Sequence, residues 1–384
     1  MQCAAPLVSK PVLYPSKVGQ PFGPSTRYQG SKRKLQLWLL SKLASLPFTS
    51  IADVMSGTSS VAYAMKRIGK RVVANDCLHF NYRTAQAFIE NPSVHLSPDD
   101  TTWLLARHRT VEYTRFIQQT FAGMYFTAEE NAWLDQTAAN ITALSVKAND
   151  PKIAESKTAL AQHALVQACL AKRPFNLFHR KNLYLRQAVV PRRFGNKTTW
   201  ETPFPQLFAK FIAEANTCVF DNGQDNVALN HDVVSLPTFP VDLVYLDPPY
   251  FGQGRERSRS NYRFLYHFVE GLVQYERWPY ILNNDHPLAA LKAAGHSTDM
   301  LYSCPLDKLE VTYLGWLTTI IQQWPNSRIA ISYKHPGVPS IRSLRQLLVE
   351  TGRNTEIYAV KYAYALSKKN GKPKENIEVL LIGS

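Results

Sequence analysis

The 384-residue sequence predicts an α/β fold in which a mostly parallel sheet ends in an antiparallel hairpin and a mainly helical, basic domain is inserted. Short apolar runs stop at polar or acidic residues and alternate with helical patterns, which is typical of parallel sheets. Two further strand patterns, 356–363 and 377–382, are joined by a turn rich in Lys, Asn, Gly and Pro and predict the hairpin. Residues 156–200 contain no acidic residue and give the inserted region its charge.

The apolar run Leu243–Leu246 predicts a buried strand that ends abruptly in Asp247-Pro248-Pro249-Tyr250. Two prolines forbid its continuation, so a carboxylate, a rigid turn and a ring are fixed at the carboxyl end, where open α/β sheets bind ligands. The prolines also lack N–H donors and leave mainly carbonyl acceptors. Acceptors beside a ring face suit a flat substrate with an amino group, such as adenine. A proline turn with a surface tyrosine is the alternative interpretation.

Residues 1–26 contain five prolines and little periodicity, which predicts an extended N-terminal arm. The stretch Arg27–Lys32 then opens a helix, with Ser31 as its N-cap and apolar residues at helical spacing from Leu35 to Leu46. A Gly-Ser turn before a helix presents backbone N–H groups that favour an anion. An ordinary capped helix explains the same residues.

Residues 51–76 predict a strand, a glycine-containing loop, a helix and a second strand. The first strand ends near Asp53, the loop contains Gly57, and Gly69 ends the helix. The second strand is followed by Asn75-Asp76, a carboxylate about 20 residues after the glycine loop, as expected where ribose hydroxyls are held. Since a single glycine makes a weak phosphate loop, the pattern favours a nucleoside cofactor without phosphates.

The composition, with 45% hydrophobic and 19% charged residues, is that of a folded globular protein, and the formal net charge is +15. This positive charge predicts a polyanionic partner. A membrane surface would also attract it, but no apolar stretch approaches the roughly 20 residues of a spanning helix, and no signal core is found. Five scattered cysteines and ten histidines show no metal or redox spacing, so we expect reduced thiols, no metal and a cytoplasmic protein.

Nine positive charges lie between residues 156 and 200, and aromatic and amide side chains are interleaved with them. Cations on phosphates, rings on bases and amides on base edges make this segment a candidate nucleic-acid surface, and an arginine-rich loop at 251–263 adds to it. The candidate DNA-binding residues are Lys172, Arg173, Asn176, His179, Arg180, Arg186, Arg192, Arg193, Asn196, Lys197, Arg255, Arg257 and Arg259. A solvated basic face over core aromatics is the alternative.

The remaining segments complete the sheet and its helices. Residues 80–170 predict mainly helices, with capping boxes at 97–100 and 127–130. Further strands are expected at 217–220 and 328–333, and a helix at 340–351 entered from Ser340.

With these pieces in this order, the sequence resembles the Dam-like (alpha-group) adenine-specific DNA N6-methyltransferases over roughly residues 27–90 and 217–384. Tyr28-Gln-Gly-Ser-Lys32 is similar to the family's N-terminal cofactor motif, Asp53-Val-Met-Ser-Gly57 to its Gly-loop motif, and Asn75-Asp76 to its ribose-binding acid. Asp232 stands where a carboxylate that contacts the cofactor's adenine is expected, and Asp247–Tyr250 is similar to the catalytic motif. The resemblance implies a Rossmann-like S-adenosylmethionine-dependent methyltransferase sheet.

The resemblance also implies a division of the chain: an arm at 1–26, a catalytic domain at 27–90 and 217–384, and an inserted target-recognition region at 91–216. The chain departs from the family at Met55, where Phe is usual, and at Ser59, where a second glycine is common. A methionine can still pack against an adenosyl group, so we expect altered cofactor affinity rather than loss of binding.

The implied cofactor is S-adenosylmethionine, with S-adenosylhomocysteine as product and no metal. The residues expected to bind it are Tyr28, Gly30, Ser31, Lys32, Asp53, Met55, Gly57, Thr58, Ser59, Asp76, Asp232 and Asp247. Asp76 would hold the ribose hydroxyls, Asp53 the methionine amino end and Asp232 the adenine amine. Lys32 would neutralise the methionine carboxylate.

The implied reaction passes the methyl group directly to N6 of an adenine flipped out of double-stranded DNA, with Asp247, Pro248, Pro249 and Tyr250 as catalytic residues. The Asp247 carboxylate and the Pro248 carbonyl would accept the amine hydrogens and localise its lone pair toward the methyl. Tyr250 would stack on the flipped base, which requires the ring rather than the hydroxyl.

Rival interpretations keep the fold and change the acceptor to N4 of cytosine, an exocyclic amine of RNA, or a glutamine side chain of a protein. Asp247 favours adenine over cytosine, the long insertion argues against RNA enzymes, and Asp247 with the basic segment argues against a protein substrate. A catalytically silent DNA-binding relative is a rival of another class, against which Asp247 and Asp76 argue. We further expect a monomer of bacterial, archaeal or phage origin, with a restriction endonuclease as a candidate partner.

Overall fold

The computed structural model describes residues 12–13, 21–147, 150–188, 197–252, 261–369 and 372–384. Six of the candidate DNA contacts lie outside these residues: Arg192, Arg193, Asn196, Arg255, Arg257 and Arg259. Most of the predicted N-terminal arm lies outside them as well.

Eight strands within the described residues form one sheet. They are β1 (Val12–Leu13), β2 (Ser50–Asp53), β3 (Arg71–Asn75), β4 (Val227–Leu229), β5 (Leu243–Leu246), β6 (Arg328–His335), β7 (Thr355–Lys369) and β8 (Lys372–Gly383). The α-helices of the first half are α1 (Gln36–Leu43), α2 (Ser60–Arg67), α3 (His79–Ala85), α4 (Pro98–Leu105), α5 (Phe116–Thr120), α6 (Ala128–Lys147), α7 (Pro151–Ala171) and α8 (Tyr184–Gln187). Those of the second half are α9 (Lys197–Glu201), α10 (Phe204–Asn216), α11 (Tyr262–Leu265), α12 (His267–Leu272), α13 (Trp278–Ile281), α14 (Asp299–Ser303), α15 (Leu309–Gln322) and α16 (Ile341–Glu350).

The sheet has the order β1-β7-β8-β6-β5-β2-β3-β4, and its neighbouring pairs are parallel except for the two made by β8. The antiparallel β8 lies between β6 and β7, which confirms the predicted α/β fold and its C-terminal hairpin. Every residue of β2 and β5 is buried, as expected of central parallel strands covered on both faces.

The order of the strands reverses between β2 and β5. From β2 the chain proceeds outward to β3 and β4, whereas β5 is followed on its other side by β6. This arrangement opens a crevice beyond the carboxyl ends of β2 and β5, where ligands bind in open α/β sheets.

Most local predictions are confirmed. Ser31 caps a 3₁₀ turn, Lys32–Leu35, that continues into α1, and Ser340 caps α16. The capping box at Ser97 forms at the start of α4, and reciprocal hydrogen bonds between Thr127 and Glu130 form the second. These side chains satisfy backbone N–H groups that the first helical turn leaves without partners.

The strand expected at 217–220 is wrong. α10 continues to Asn216, and the segment after it packs against α2, where the Tyr63 hydroxyl donates to the Cys218 carbonyl at 2.8 Å. The Phe220 ring meets the Tyr63 ring edge-on, with the centroids 5.4 Å apart. Val219 and Phe220 therefore gain their burial from a helix, and the strand beside β3 is β4.

The helices of the central region pack into the same hydrophobic cluster as the first half of the sheet. Leu165 of α7 and Phe211 of α10 belong to this cluster together with Leu39 of α1 and Ile51 of β2. The predicted boundaries at 90/91 and 216/217 thus do not coincide with a break in packing. No helix in the described part of the chain is both long and apolar enough to cross a membrane.

Candidate active site

A cleft occupies the crevice at the carboxyl ends of β2, β3 and β5. Its walls include most of the residues that the sequence predicted: Tyr28, Gly30, Ser31, Lys32, Asp53, Met55, Gly57, Thr58, Asp76, Asp232, Asp247, Pro248, Pro249 and Tyr250. Segments far apart in the sequence therefore meet in one site because parallel strands end at the same edge of the sheet.

The N-terminal motif contacts the glycine loop. The hydroxyl oxygens of Ser31 and Thr58 lie 3.0 Å apart, which ties the cap of the 3₁₀ turn before α1 to the loop that precedes α2. Gly57 and Ser59 both have left-handed backbone conformations, with φ of 51° and 55°. Ser59 itself is buried beneath the loop as the N-cap residue of α2. Two such residues fold the loop back toward Asp76 at the end of β3.

Asp76 is anchored by backbone donors on both of its oxygens. The Gly57 N–H donates to Oδ2 at 2.8 Å, and the Leu78 N–H donates to Oδ1 at 2.9 Å. Burial raises the pKa of Asp76 to about 6, although these two hydrogen bonds oppose the shift. Each carboxylate oxygen can accept a second hydrogen bond, so Asp76 can still hold a hydroxyl pair.

Asp53, at the end of β2, has one carboxylate oxygen that accepts no hydrogen bond from the described residues. Its Oδ2 accepts a hydrogen bond from the Ala62 N–H at 3.2 Å, whereas its buried Oδ1 has no partner among the described residues. Burial raises the pKa of this carboxyl group well above its ordinary value, and the nearby Asp247 adds to the shift. A cationic group at Oδ1 would satisfy both the open acceptor and the buried charge.

Asp232 lines the cleft but is already engaged by the protein. Its oxygens accept hydrogen bonds from the Ser297 N–H at 2.5 Å and the Ser297 hydroxyl at 2.6 Å, and from the Val234 N–H at 3.0 Å. The Trp316 indole in turn donates to the Ser297 hydroxyl at 2.9 Å. Asp232 thus fixes the loop around Ser297 to the floor of the cleft and retains little further capacity to accept.

The Asp247–Tyr250 motif presents a carboxylate that accepts several hydrogen bonds. Asp247 Oδ1 accepts from the Lys32 ammonium at 2.8 Å and from the Tyr250 hydroxyl at 2.7 Å. Burial raises the pKa of Asp247 despite the adjacent Lys32. The Tyr313 hydroxyl of α15 donates to the Pro249 carbonyl at 2.8 Å and so holds the backbone of the motif in place.

Lys32 is paired with carboxylates of the protein itself. Its Nζ lies 2.8 Å from Asp247 and 3.2 Å from Glu378, and it also donates to the Tyr250 hydroxyl at 2.5 Å. Burial alone would lower the pKa of Lys32, but the Asp247 and Glu378 carboxylates outweigh burial and hold it above its ordinary value. Lys32 therefore contacts two residues of the Asp247–Tyr250 motif, and its role toward the methionine carboxylate stays a prediction.

Sequence reasoning missed Glu378 and a stack of tyrosines. The Tyr28 ring stacks against those of Tyr262 and Tyr266, with centroids 5.3 and 4.7 Å away, and the centroids of Tyr262 and Tyr266 are 6.5 Å apart. Gly30 has a left-handed backbone conformation, with φ of 88°, and a Cβ atom there would lie 2.8 Å from the Tyr262 hydroxyl, so both observations favour glycine. Aromatic residues four apart on a helix were the available signal for the tyrosines, and an acid within the apolar half of β8 was the signal for Glu378.

Three of the expected DNA contacts are internal. Lys172 and Arg173 are 2% and 0% exposed, and Arg186 pairs with the Glu130 carboxylate at 2.6 and 2.9 Å. Lys172 lies 3.0 Å from the same carboxylate, so Glu130 neutralises two of the cations. Buried cations of this kind cannot reach a DNA phosphate. The prediction that Lys172, Arg173 and Arg186 contact DNA is therefore wrong, and these side chains form part of the protein's own packing.

The other described members of the set lie nearer the surface. Arg180 is exposed, and Asn176 and His179 are half-buried. The side chain of Lys197 is 67% exposed beside Glu201. These four residues remain candidates for contact with a polyanion.

A comparison with protein families identifies the family of this chain. The family model of the D12 class N6 adenine-specific DNA methyltransferases matches residues 28–270. The chain belongs to this family. It is therefore a DNA adenine N6-methyltransferase, and its family membership implies S-adenosylmethionine as the methyl donor. The chain is also 27% identical over 372 residues to the type II methyltransferase M2.HphI of Haemophilus parahaemolyticus, a match that covers 95% of this chain and 99% of that protein.

The cleft fits S-adenosylmethionine. Asp76 and the close backbone of Gly57 suit a ribose, and the open acceptor of Asp53 suits an ammonium group. The acids at the cleft include the buried Asp53, Asp76 and Glu378 and the half-buried Asp247. They outnumber Lys32, the one lysine among the described residues that line the cleft, which favours a ligand with positive charge. The described residues contain no cluster of three or more His, Cys, Asp or Glu side chains arranged to hold a metal ion.

Proposed function

We propose that this protein is a Dam-like (alpha-group) methyltransferase that methylates N6 of an adenine flipped out of duplex DNA at a specific sequence. The observation that carries the proposal is the convergence of Asp247-Pro248-Pro249-Tyr250 with the Asp53 and Asp76 carboxylates in one cleft. A carboxylate, a carbonyl and a ring at the end of β5 match the two amine hydrogens and the face of an adenine.

Asp247 is the residue that orients the amine. The lone pair of an adenine amine is delocalised into the ring, so the amine is a poor nucleophile. With Asp247 accepting one hydrogen and the Pro248 carbonyl the other, the lone pair points out of the ring plane toward the methyl group. S-adenosylmethionine, when bound, supplies that methyl as an electrophile. Tyr250 stacks on the base and helps offset a flipping cost of a few kcal/mol.

The remaining acids of the cleft divide the work of holding the cofactor. Asp76 accepts from the ribose hydroxyls, and Asp53 accepts from the methionine ammonium through its open Oδ1. Tyr28, Gly30 and Ser31 shape the wall beside the glycine loop, and Met55 and Thr58 line the same cleft. Asp232 contributes chiefly by fixing the Ser297 loop at the adenine end.

The DNA face includes Arg180 and Lys197, together with Asn176, His179 and the arginines that lie outside the described residues. All but the loop arginines belong to the region 91–216, which we assign to target recognition, while 27–90 and 217–384 form the catalytic part and 1–26 an arm. Exposed cations on phosphates would place the duplex, and amide and imidazole groups would contact base edges.

The biological role that we propose is modification within a restriction-modification system. The support is the name of the relative in Haemophilus parahaemolyticus, a type II methyltransferase that aligns over nearly its full length. A restriction endonuclease would then be the partner in the cell, and the methyltransferase would act on DNA as a monomer.

The test is mass spectrometry of nucleosides from unmethylated DNA incubated with the protein and S-adenosylmethionine, with Asp247→Ala in parallel. We expect N6-methyladenine from the wild type alone. N4-methylcytosine would keep the mechanism and overturn the choice of base, and product from the variant would overturn the role of Asp247. If DNA stays unmodified, RNA is the next substrate to test, and a protein inactive on both would be a silent DNA-binding relative.

A further inference from the structure

Glu378 is an active-site carboxylate that lies on β8, outside the segment 28–270 matched to the family. Its side chain is 0% exposed. A charge in that environment is costly unless it is paired, so its contacts indicate why it is there.

Three groups converge on one oxygen of Glu378. The Tyr250 hydroxyl lies 2.8 Å from Oε1, the Ser332 hydroxyl donates to it at 3.0 Å, and the Lys32 ammonium is 3.2 Å away. Tyr250 and Lys32 are also the two donors to Asp247 Oδ1. The two carboxylates therefore share the same hydroxyl and the same ammonium.

This sharing affects how a target base reaches Asp247. An amine that binds Asp247 Oδ1 competes with both Lys32 and Tyr250, and a buried ammonium displaced from one carboxylate needs another acceptor. Glu378 Oε1 already lies within hydrogen-bonding distance of both donors. They can change partner without leaving the site.

We propose that Glu378 is a positioning residue for methyl transfer, which retains Lys32 and the Tyr250 hydroxyl while the target amine occupies Asp247. The inference rests on the proposed function. Glu378 acts through Lys32 and Tyr250 and takes no part in bond making.

The pH dependence of the reaction provides a readout that a merely structural residue would not change. The titratable and charged groups that face Asp247 are Lys32, Asp53, Tyr245, Tyr250, Tyr262, Tyr313 and Glu378. The pKa of Asp247 is raised first by burial and also by the negative charge of Glu378, whereas Lys32 lowers it. Removal of the Glu378 charge should therefore lower the pKa of Asp247.

The experiment compares wild type with Glu378→Gln, which keeps the shape and a hydrogen-bond acceptor but removes the charge. Single-turnover methylation of duplex DNA is measured from pH 5 to pH 9, and cofactor affinity is measured by calorimetry. We expect the transfer rate at neutral pH to fall by roughly 10- to 100-fold, with cofactor affinity within about twofold of wild type. The acid limb of the rate profile should move to lower pH.

A matched control is Glu130→Gln, because Glu130 is another largely buried carboxylate that pairs with two cations but lies outside the cleft. Its acid limb should coincide with that of the wild type. If Glu378→Gln fails to bind cofactor, Glu378→Asp decides: it keeps the charge but draws it back, so a lower rate with an unmoved acid limb is expected.

A Glu378→Gln protein with the transfer rate and the acid limb of the wild type would overturn the inference. A lower transfer rate with an unmoved acid limb in that variant would also overturn it, because it would indicate that Glu378 only supports the structure. Wild-type rate in Glu378→Asp, where that variant decides, would also overturn it. No methyladenine from the wild type would instead overturn the proposed function, and the inference with it. Because the wild-type product is measured in the same series, the two failures are distinguishable.

Discussion

Ser59 occupies a backbone conformation that suits glycine better than serine. Its φ of 55° lies in the left-handed region, and its buried hydroxyl has no hydrogen-bond partner among the described residues. The left-handed conformation costs a residue with a Cβ roughly 1 to 2 kcal/mol. The family's frequent glycine at this position is thus explained by the geometry of the loop.

We predict that Ser59→Gly stabilises the protein. Relief of the backbone strain and removal of an unpaired hydroxyl outweigh the greater freedom of glycine in the unfolded chain, for a gain of roughly 1 kcal/mol in the free energy of unfolding. Chemical denaturation measures it. The control is Ser60→Gly at the start of α2, which should be destabilising by up to about 1 kcal/mol. A loss of stability in Ser59→Gly would contradict the strain.

Asp76 should make cofactor binding depend on pH. The carboxylate must be ionised to accept both ribose hydroxyls, and burial raises its pKa to about 6, above its ordinary value. Affinity for S-adenosylhomocysteine should therefore be constant above that pH and fall by up to about tenfold per pH unit below it. Calorimetric titrations from pH 5 to pH 8 test this. Asp76→Asn should bind more weakly with little dependence on pH, and an identical pH profile in that variant would exclude Asp76 as the cause.

At the residue scale, the sequence located acids that follow strands and missed the acid within one. Asp53, Asp76 and Asp247 each end an apolar run, and their common edge follows from a parallel sheet. Glu378 and Lys32 meet only because β8 inserts between β6 and β7, a pairing of distant segments that no local pattern specifies. The sequence also could not distinguish a cation on the surface from one that is buried against Glu130.

At the scale of elements, periodicity predicted the central strands and the capped helices but failed where tertiary packing supplied the burial. Residues 217–220 have the composition of a strand, yet Phe220 packs against Tyr63 of α2 and the chain pairs with β3 only at Val227–Leu229. A short run of apolar residues shows that a segment is buried and does not show what buries it.

The turn after α7 is held together by Arg173. This guanidinium donates to the carbonyls of Leu177 at 3.1 Å and Arg180 at 3.0 Å, and it lies 4.7 Å from the centre of the Tyr125 ring. Arg173 is thus an internal brace for the segment that carries Arg180 at the surface.

We predict that replacing Arg173 lowers stability, whereas replacing Arg180 weakens DNA binding. Arg173→Ala leaves buried carbonyls without donors and opens a cavity, so it should lower the free energy of unfolding by about 3 kcal/mol or more. Arg180→Ala is a surface change and should alter stability by less than about 0.5 kcal/mol while weakening DNA binding. Denaturation and DNA titrations of both variants separate these outcomes. An Arg173→Ala protein of normal stability would show that the brace is dispensable.

At the scale of the whole molecule, the chain has a formal net charge of +15, whereas the buried charged groups at the cleft are mainly acidic. The outer charge suits the DNA backbone, and the inner charge suits a cationic cofactor. The composition predicted the polyanionic partner, but it could not show that Lys172, Arg173 and Arg186 form contacts within the protein.

We predict that DNA affinity falls steeply with salt. For a protein with several phosphate contacts, raising the salt from about 50 to 200 mM should weaken binding by at least roughly 100-fold. Arg180→Ala should reduce the slope of log affinity against log salt by about one. Fluorescence anisotropy with a labelled duplex measures both. An affinity independent of salt would contradict the basic DNA face.

The two aspartates at the ends of β5 provide the most direct test of the account. Asp247 follows the strand in the cleft, whereas Asp242 precedes it and accepts hydrogen bonds from Thr49 and Ser50, which hold its pKa near 2. The measurement is the single-turnover rate of N6-adenine methylation by Asp247→Asn and Asp242→Asn, with cofactor affinity measured alongside. We expect Asp247→Asn to lose at least roughly 100-fold in rate with cofactor affinity nearly unchanged, and Asp242→Asn to lose stability but keep its rate. A wild-type rate in Asp247→Asn would contradict the assignment of this cleft as the methylation site.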